Sequence, residues 1–350
     1  MKEMAATIGE IGEKALLQRL RKYLNPAHAV IRTFSEDCAV IEVPGDYYHL
    51  YTVDVLVEGV HFRKDCASAF FIGRKAIKVN LSDVSAMSGE PLYFLLSLGA
   101  PSETPVELLE AIYKGIESVT KDSGVSLIGG NVSNAPFLFL DITLIGRVRK
   151  EKVVFRNGAR KGDSIFVTGK LGASAEGLKL LNDGFRISGS DPWSVIDPGV
   201  GDTSYARECI LAHLDPPLYT RFAKELADVA KVNAMIDLSD GLASDLPEIC
   251  RESNVGARIE VEKVPISPGA LYWETKRNLD AVQLALNGGE DYHLLFTASP
   301  GDRANLMDFA AQHQVELAEI GKIVDASEGI STVTAEGRAS VLARGFEHFQ

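Results

Sequence analysis

Apolar residues recur at helical spacing over residues 10–24, where Ile11, Ala15, Leu16, Leu20 and Leu24 share one side of a short amphipathic helix. Shorter apolar runs follow. CAVIEV (38–43) and YHLYTVDVLV (48–57) read as strands, with the turn chemistry of PGDY between them. Helical spacing returns over 69–88, with Phe70, Ile77, Leu81 and Val84 on or near one face. PLYFLLSLGA (91–100) reads as a buried strand, and 104–123 as an amphipathic helix with Pro105 in its first turn. VSLIGG (125–130) is expected to end in a Gly-Gly turn before the strand FLFLDITLIGRV (137–148).

GARKGD (158–163) is a turn and SIFVTG (164–169) opens a new strand, so a domain boundary is expected near residue 150, dividing 1–150 from 151–350. GASAEGLKLL (172–181) starts a helix rich in small residues. Residues 182–206, rich in Gly, Ser, Asp and Pro, read as a long loop. A helix over 216–230, the strand AMIDL (234–238) and a helix over 241–252 come next. Residues 256–345 continue as α/β, with GGEDYHLLFT (288–297) a turn entering a strand. The pattern predicts an α/β (α+β) protein of two domains, with mixed sheets packed by helices.

At 350 residues the chain is long enough for two sizeable cores. Its net charge of −12, from 36 basic and 48 acidic residues, argues against a nucleic-acid or anionic-membrane surface. No apolar run is long enough to span a bilayer, and the N-terminal MKEMAATIGEIGEKALLQRL has no apolar signal core. Cys38, Cys66, Cys209 and Cys250 are widely spaced, which fits a reducing compartment better than a disulfide or zinc framework. A cytoplasmic protein is expected.

The candidate chemistry lies in acidic residues set beside apolar runs and glycines. Asp37 occurs in EDCAVI (36–41), Asp54 in DVLVEGVHF (54–62), Asp83 in NLSDVSAM (80–87), and Asp237 with Asp240 in IDLSDGLASDL (236–246). If the fold brings them together, they form an oxygen-rich site for divalent cations, suited to phosphoryl transfer from a nucleotide. In IDLSDGLASDL a strand ends at Asp237 and a helix begins near Ser239-Asp240-Gly241, so both carboxylates can project past the strand end and Ser239 lies at the positive helix terminus. Helix capping is the plainer reading of Ser239 or Asp240. IGGNVSN (128–134) and NGGEDYHLL (287–295) each place a glycine pair before a polar residue, which permits close backbone approach to a ligand or only a tight loop. Glu290 and Asp291 follow the second pair, in a position suited to substrate contact. His61 and Arg156 have ordinary surface readings beside functional ones, and Phe346 in GFEHF is either core or a stacking platform. No Walker A loop, kinase HRD/DFG set or GxSxG elbow occurs.

DVLVEGVHF, KVNLSDVSAM, AMIDLSDGLASDL and GGEDYHLLFT, in this order, resemble the thiamine-monophosphate kinase family, within the superfamily of aminoimidazole ribonucleotide synthetase. The resemblance runs from IGEKALLQRL to GFEHF. It implies the two-domain aminoimidazole ribonucleotide synthetase-like fold, a homodimer, and direct in-line transfer of the ATP γ-phosphoryl group to thiamine monophosphate. By motif, it implies Mg2+ held by Asp37, Asp54, Asp83, Asp237 and Asp240, the last two also being the catalytic candidates. It implies ATP contacts from Ser239, Tyr113, Arg156, Gly129, Gly130 and Asn131. Contacts to thiamine phosphate would come from His61, Glu290 and Phe346.

Three departures stand out. The chain has Ser35-Glu36-Asp37 where the family has Gly-Asp-Asp, Val53 where it has Thr, and Asn131 where it has Asp. At about 4 Å and an effective dielectric near 20, the carboxylate charge missing at Asn131 is worth roughly 4 kcal/mol before desolvation. Two alternatives follow: a superfamily enzyme acting on another small-molecule acceptor, and a binding protein weakened in catalysis.

Overall fold

The computed structural model describes residues 7–23, 26–33, 35–187, 195–196 and 203–341. Its first half contains α1 (Ile8–Leu20), β1 (Val30–Arg32), β2 (Ala39–Glu42), β3 (Tyr47–Val57), α2 (Ala69–Ala86), β4 (Glu90–Ala100), α3 (Val106–Ser123), β5 (Ser126–Asn134) and β6 (Phe139–Arg149). The strands form one sheet in the order β1-β2-β3-β6-β4-β5, antiparallel except for the β4–β5 pair.

The second half begins with β7 (Ser164–Thr168), α4 (Ala173–Asn182), β8 (Arg186–Ile187), β9 (Val195–Ile196), α5 (Thr203–Leu214), α6 (Thr220–Val229) and β10 (Val232–Asp237). It continues through α7 (Leu242–Ser253), β11 (Gly256–Glu260), α8 (Pro268–Lys276), α9 (Ala281–Asn287) and β12 (Leu294–Ala298). It ends with α10 (Arg303–Gln312), β13 (Leu317–Val324), β14 (Ile330–Val333) and β15 (Ala339–Val341). Seven of these strands form a sheet in the order β10-β12-β7-β13-β11-β14-β15, in which only β11 and β14 are parallel.

Strand periodicity sorts the cores. In the second sheet, Ile165, Val167 and Leu295 pack with Leu242, Leu246 and Ile249 of α7. Phe166, Leu294 and Phe296 pack on the other side with Phe222 of α6 and Phe309 of α10. Both faces are covered, so β7 and β12 are buried at every position. The first sheet differs. Leu50, Leu56, Leu140, Ile142 and Leu144 face a core shared with α2 and α3, whereas Val53, Val55, Tyr93 and Leu95 remain exposed on the opposite face.

Helix α2 lies at the centre of the molecule, against β3, β6, α3, α6 and β10. Its Lys75, Lys78, Asn80, Ser82 and Ser85 are buried along with its apolar residues. Glycines set its distance from α3. A methyl group on Gly73 would lie 1.9 Å from the Ile112 carbonyl oxygen, and one on Gly115 would lie 2.0 Å from that of Phe70. The two backbones therefore meet directly.

Several expectations need correction. PLYFLLSLGA is buried on one face only, because nothing among the described residues covers Tyr93 and Leu95. Gly129-Gly130 does not turn. It lies inside β5, where a methyl on Gly130 would stand 2.0 Å from Leu96 O, so the pair allows close strand approach. The 182–206 segment is not loop throughout: β8 and β9 pair within it, and α5 already begins at Thr203. Asn182 still belongs to α4, and residues 188–194 and 197–202 lie outside the described residues.

Gly115→Ala gains up to ~1 kcal/mol of helix propensity. The forced separation of α2 and α3 costs about 1–3 kcal/mol and dominates. Thermal or urea denaturation should show a less stable protein; an unchanged or raised midpoint would refute this account of the crossing.

Candidate active site

Four elements place the acidic side chains. Asp37 precedes β2, Asp54 lies on β3, Asp83 lies in the last turn of α2, and Asp237 ends β10. One carboxylate oxygen each from Asp37, Asp83 and Asp237 fall within 4.8 Å of one another. Strand parity turns Thr52 and Asp54 toward α2. Thr52 Oγ1 donates to Asp83, and the Asp54 N–H donates to Asn80 Oδ1 at 3.1 Å. Ser82 Oγ donates to Asp237 Oδ2 at 2.5 Å, and the Arg156 guanidinium pairs with Asp37 Oδ1 at 2.5 Å. Val53 has the opposite parity and is 59% exposed, so its departure from the family pattern does not touch these carboxylates within the chain.

The carboxylates oppose one another's ionisation. Burial, then Asp141 and Asp37, raise Asp54 to about 6. Burial, then Asp54, Asp237 and Asp37, push Asp83 well above the usual range. Burial, then Asp37, push Asp237 up to about 8, against the Ser82 hydrogen bond and the Arg156 charge. Burial disfavours the Arg156 cation, but the adjacent Asp37 more than reverses this and holds it charged. Glu36, at the altered Gly-Asp-Asp position, accepts the Arg156 N–H at 2.7 Å; burial raises it to about 7.

Asp54 also lines a cavity of about 1000 Å³ between the two halves, together with His61, Ser239, Asp240 and Glu290. The Val57 N–H donates to His61 Nδ1 at 3.1 Å, which leaves the ring proton on Nε2. The motifs around Ser239 and Glu290 are joined backbone to backbone. The Glu290 N–H donates to Ser239 O at 2.7 Å, the Tyr292 N–H to Leu238 O at 2.8 Å, and the Leu238 N–H to His293 O at 2.8 Å. A methyl on Gly289 would lie 2.9 Å from Ser239 O, and one on Gly241 2.7 Å from Gly288 O. These glycines serve the close contact of two loops. Between them, Glu290 (φ 63°) and Tyr292 (φ 50°) adopt the left-handed conformation, which costs about 1–2 kcal/mol per residue.

Asp291 faces away from the cavity. It is buried and accepts the Gly172 and Ser174 N–H groups at 2.8 and 3.1 Å, anchoring the start of α4 instead of meeting a substrate. Tyr113 lines a separate groove of about 560 Å³ with Phe94, Lys114 and Leu127. Asn131 lies on edge strand β5, its Nδ2 donating to Ser133 Oγ at 3.2 Å. Its register with Ser97 and Asp141 places it on the open face of the sheet, apart from the acidic cluster. Gly129 and Gly130 share that strand. Phe346 lies outside the described residues.

Sequence reasoning missed Lys75 and His213, which line the cavity, and Asp245, which accepts the Asp240 N–H at 3.1 Å. Asp245 was visible in IDLSDGLASDL. Lys75 and His213 carried no separate signal: Lys75 stands among several other polar residues of its helix, and His213 is a lone histidine near the end of its own.

The donor set fits a hard divalent cation. It consists of carboxylate oxygens without thiolate or imidazole, and Asp37 Oδ2 is buried with no hydrogen-bond partner. A cation would satisfy that oxygen and the repulsion around it together.

Residues 35–148 match the family model described as AIR synthase related protein, N-terminal domain, and residues 160–334 match the corresponding C-terminal domain. The thiamine-monophosphate kinase of Aquifex aeolicus is 33% identical over 97% of this chain and 99% of its own length. The Escherichia coli K12 enzyme of the same name is 33% identical over 90% of both chains. The structure of AaThiL complexed with AMPPCP and TMP superposes with a TM-score of 0.82 at 30% identity, covering 99% of this chain and 100% of that one. Hydrogenase maturation protein HypE, at 17% identity and a TM-score of 0.66, shares the fold. With Asp37, Asp83 and Asp237 brought together and similarity along nearly its whole length, the chain belongs to the thiamine-monophosphate kinase family.

Proposed function

We propose that this protein transfers the γ-phosphoryl group of ATP to thiamine monophosphate, forming thiamine diphosphate and ADP. The observation that carries this reading is the convergence of Asp37, Asp83 and Asp237 next to a cavity that Asp54, Asp240, His61 and Glu290 line. The similarity to proteins named for this activity supports it. An acceptor phosphate is anionic at neutral pH, so an acceptor oxygen attacks γ-phosphorus without a strong general base. The β–γ bridging bond breaks and ADP leaves. The protein's part is positioning and electrostatics.

In this reading Asp37, Asp54, Asp83, Asp237 and Asp240 hold Mg2+, which supplies charge neutralisation between the triphosphate and the acceptor phosphate. Arg156 and Ser239 meet the nucleotide phosphates, and Tyr113 meets the base in its separate groove. His61 donates from Nε2 to the acceptor, and Glu290 and Phe346 meet the rest of it. Gly129, Gly130 and Asn131 act on the nucleotide side. The N-terminal half, to about residue 150, serves nucleotide and metal, and the C-terminal half completes the acceptor site. An acceptor other than thiamine monophosphate, or a merely binding role, is not favoured: the five aspartates remain, and Asn131 is not one of the clustered ligands.

A homodimer and a cytoplasmic location belong to the same reading. Val53, Val55, Tyr93 and Leu95 form an exposed apolar face beside the fully exposed edge strand β5, which suits a second copy of the chain. The four buried free cysteines suit a reducing compartment.

Purified protein with ATP, Mg2+ and thiamine monophosphate should yield thiamine diphosphate. Asp240→Asn should lower kcat by about 100-fold or more while the circular dichroism stays native; undiminished Mg2+-dependent turnover would contradict the assignment. Without metal, Asp54 and Asp237 bind protons more tightly folded than unfolded, so their contribution to stability is greatest near pH 4 and is lost as pH rises toward about 8. The melting temperature should fall across that window, and Mg2+ should raise it most at the alkaline end. A metal effect independent of pH would count against the cluster as the binding site. Val55→Glu should convert a dimer into monomers by sedimentation; a dimer that persists unchanged would remove this face from the interface.

A further inference from the structure

The acceptor cavity contains a buried ion pair whose cation, Lys75, the proposed reaction leaves without a task. Lys75 projects from α2 and is 2% exposed, yet its Nζ lies 2.7 Å from Glu290 Oε1. Among the described residues the ammonium makes no other ion pair or hydrogen bond. The other oxygen, Glu290 Oε2, lies 3.4 Å from His213 Nδ1, and Ser174 Oγ lies 3.2 Å from the same nitrogen. The shared nitrogen rules out a relay through opposite edges of the ring. Lys75, His213 and Glu290 all line the cavity, and the Glu290 side chain remains 30% exposed. Its left-handed backbone, bonded to Ser239, fixes where that carboxylate begins.

We propose that Lys75 is a positioning residue that keeps the Glu290 carboxylate ionised and directed into the cavity, where it receives the positively charged heterocycle of the acceptor. The inference rests on the kinase reading only for the identity of that acceptor. The titratable groups facing Glu290 are Lys75 from α2, His213 from α5 and His61 from the turn after β3, with Asp291 beside it in its own loop. Burial alone would raise the Glu290 carboxyl; the opposing charges, Lys75 first among them, outweigh it and hold the group below its usual value. His213 is itself driven down to about 3 by burial and by Lys75, so near neutral pH the imidazole carries no charge. Lys75 therefore supplies the principal cation. If Glu290 were protonated, Lys75 would lose its nearest counter-ion and its charge would oppose a cationic ring at this place in the cavity.

In Lys75→Met, burial controls Glu290, and its carboxyl should titrate higher by at least about one pH unit; that lowers the ionised fraction, and with it acceptor affinity, by about threefold at a pH midway between the two values and by up to about tenfold below both. Two measurements test this. Steady-state kinetics should show KM for thiamine monophosphate raised at least about threefold at acid pH, between the two Glu290 values, KM for ATP within about twofold, and the acid limb of kcat/KM for the acceptor displaced upward. Lys75→Arg should restore the limb. Independently, 13C NMR of carboxyl-labelled protein, with the Glu290 resonance identified by its loss in Glu290→Gln, should show the upward shift without substrate. An unmoved Glu290 titration, or an equal rise in both KM values with no change of pH profile, overturns the proposal. If Lys75→Met fails to fold, Lys75→Gln takes its place in both measurements. If the wild-type protein makes no thiamine diphosphate, the functional reading falls, and the NMR titration alone decides the role of Lys75.

Discussion

Repulsion among buried carboxylates is the constraint around which this molecule is organised. Asp37, Asp83 and Asp237 approach one another more closely than folding alone would favour, in surroundings that already penalise their charge. The chain offsets part of this with Thr52, Ser82 and the Arg156 guanidinium. The remainder is left for cations and substrate. A site built this way sacrifices stability of the empty protein for affinity toward positive charge, which is the electrostatic requirement for bringing a triphosphate and a second phosphate together.

Rigid surroundings make such crowding tolerable. Helix α2 carries buried polar groups along most of its length and contacts elements from both halves of the chain. Asp215 fastens it from the far side, accepting from Arg74 Nε at 2.9 Å and pairing with Lys78 Nζ at 2.6 Å. On the opposite wall, the Ser239 and Glu290 loops are joined by main-chain hydrogen bonds across glycines too close for any side chain. The side chains of β3 and α2 and those of the Ser239 and Glu290 loops therefore sit on two frameworks that meet at one cavity. Local left-handed strain at Glu290 and Tyr292 is held in place by that junction.

Much of this could be read in advance. Strand parity alone turns Asp54 inward and Val53 outward, and the strand-to-helix transition at IDLSDG puts Asp237 and Asp240 past a strand end. Other signals misled. A glycine pair indicates that a side chain is unwelcome without saying why. At Gly130 the reason is a neighbouring strand, at Gly289 the Ser239 loop, and at Gly288 the carbonyl of Leu284 and the side chain of Ala175. Asp291 looked as available as Glu290, but its carboxylate is spent on the α4 amides, a partner more than a hundred residues away in sequence.

The sequence by itself determined the order of elements, the alternation that gives each strand an inner and outer face, and the motifs that identify the family. These are local properties, fixed by side-chain size, polarity and backbone preference within a few residues. Only the tertiary structure decided which carboxylates meet, that Asn131 stands apart from them on an open sheet face, and that Lys75 is buried against Glu290. Those outcomes depend on distances between segments far apart along the chain. Coulombic and desolvation energies vary with such distances, and no local pattern of residues encodes them.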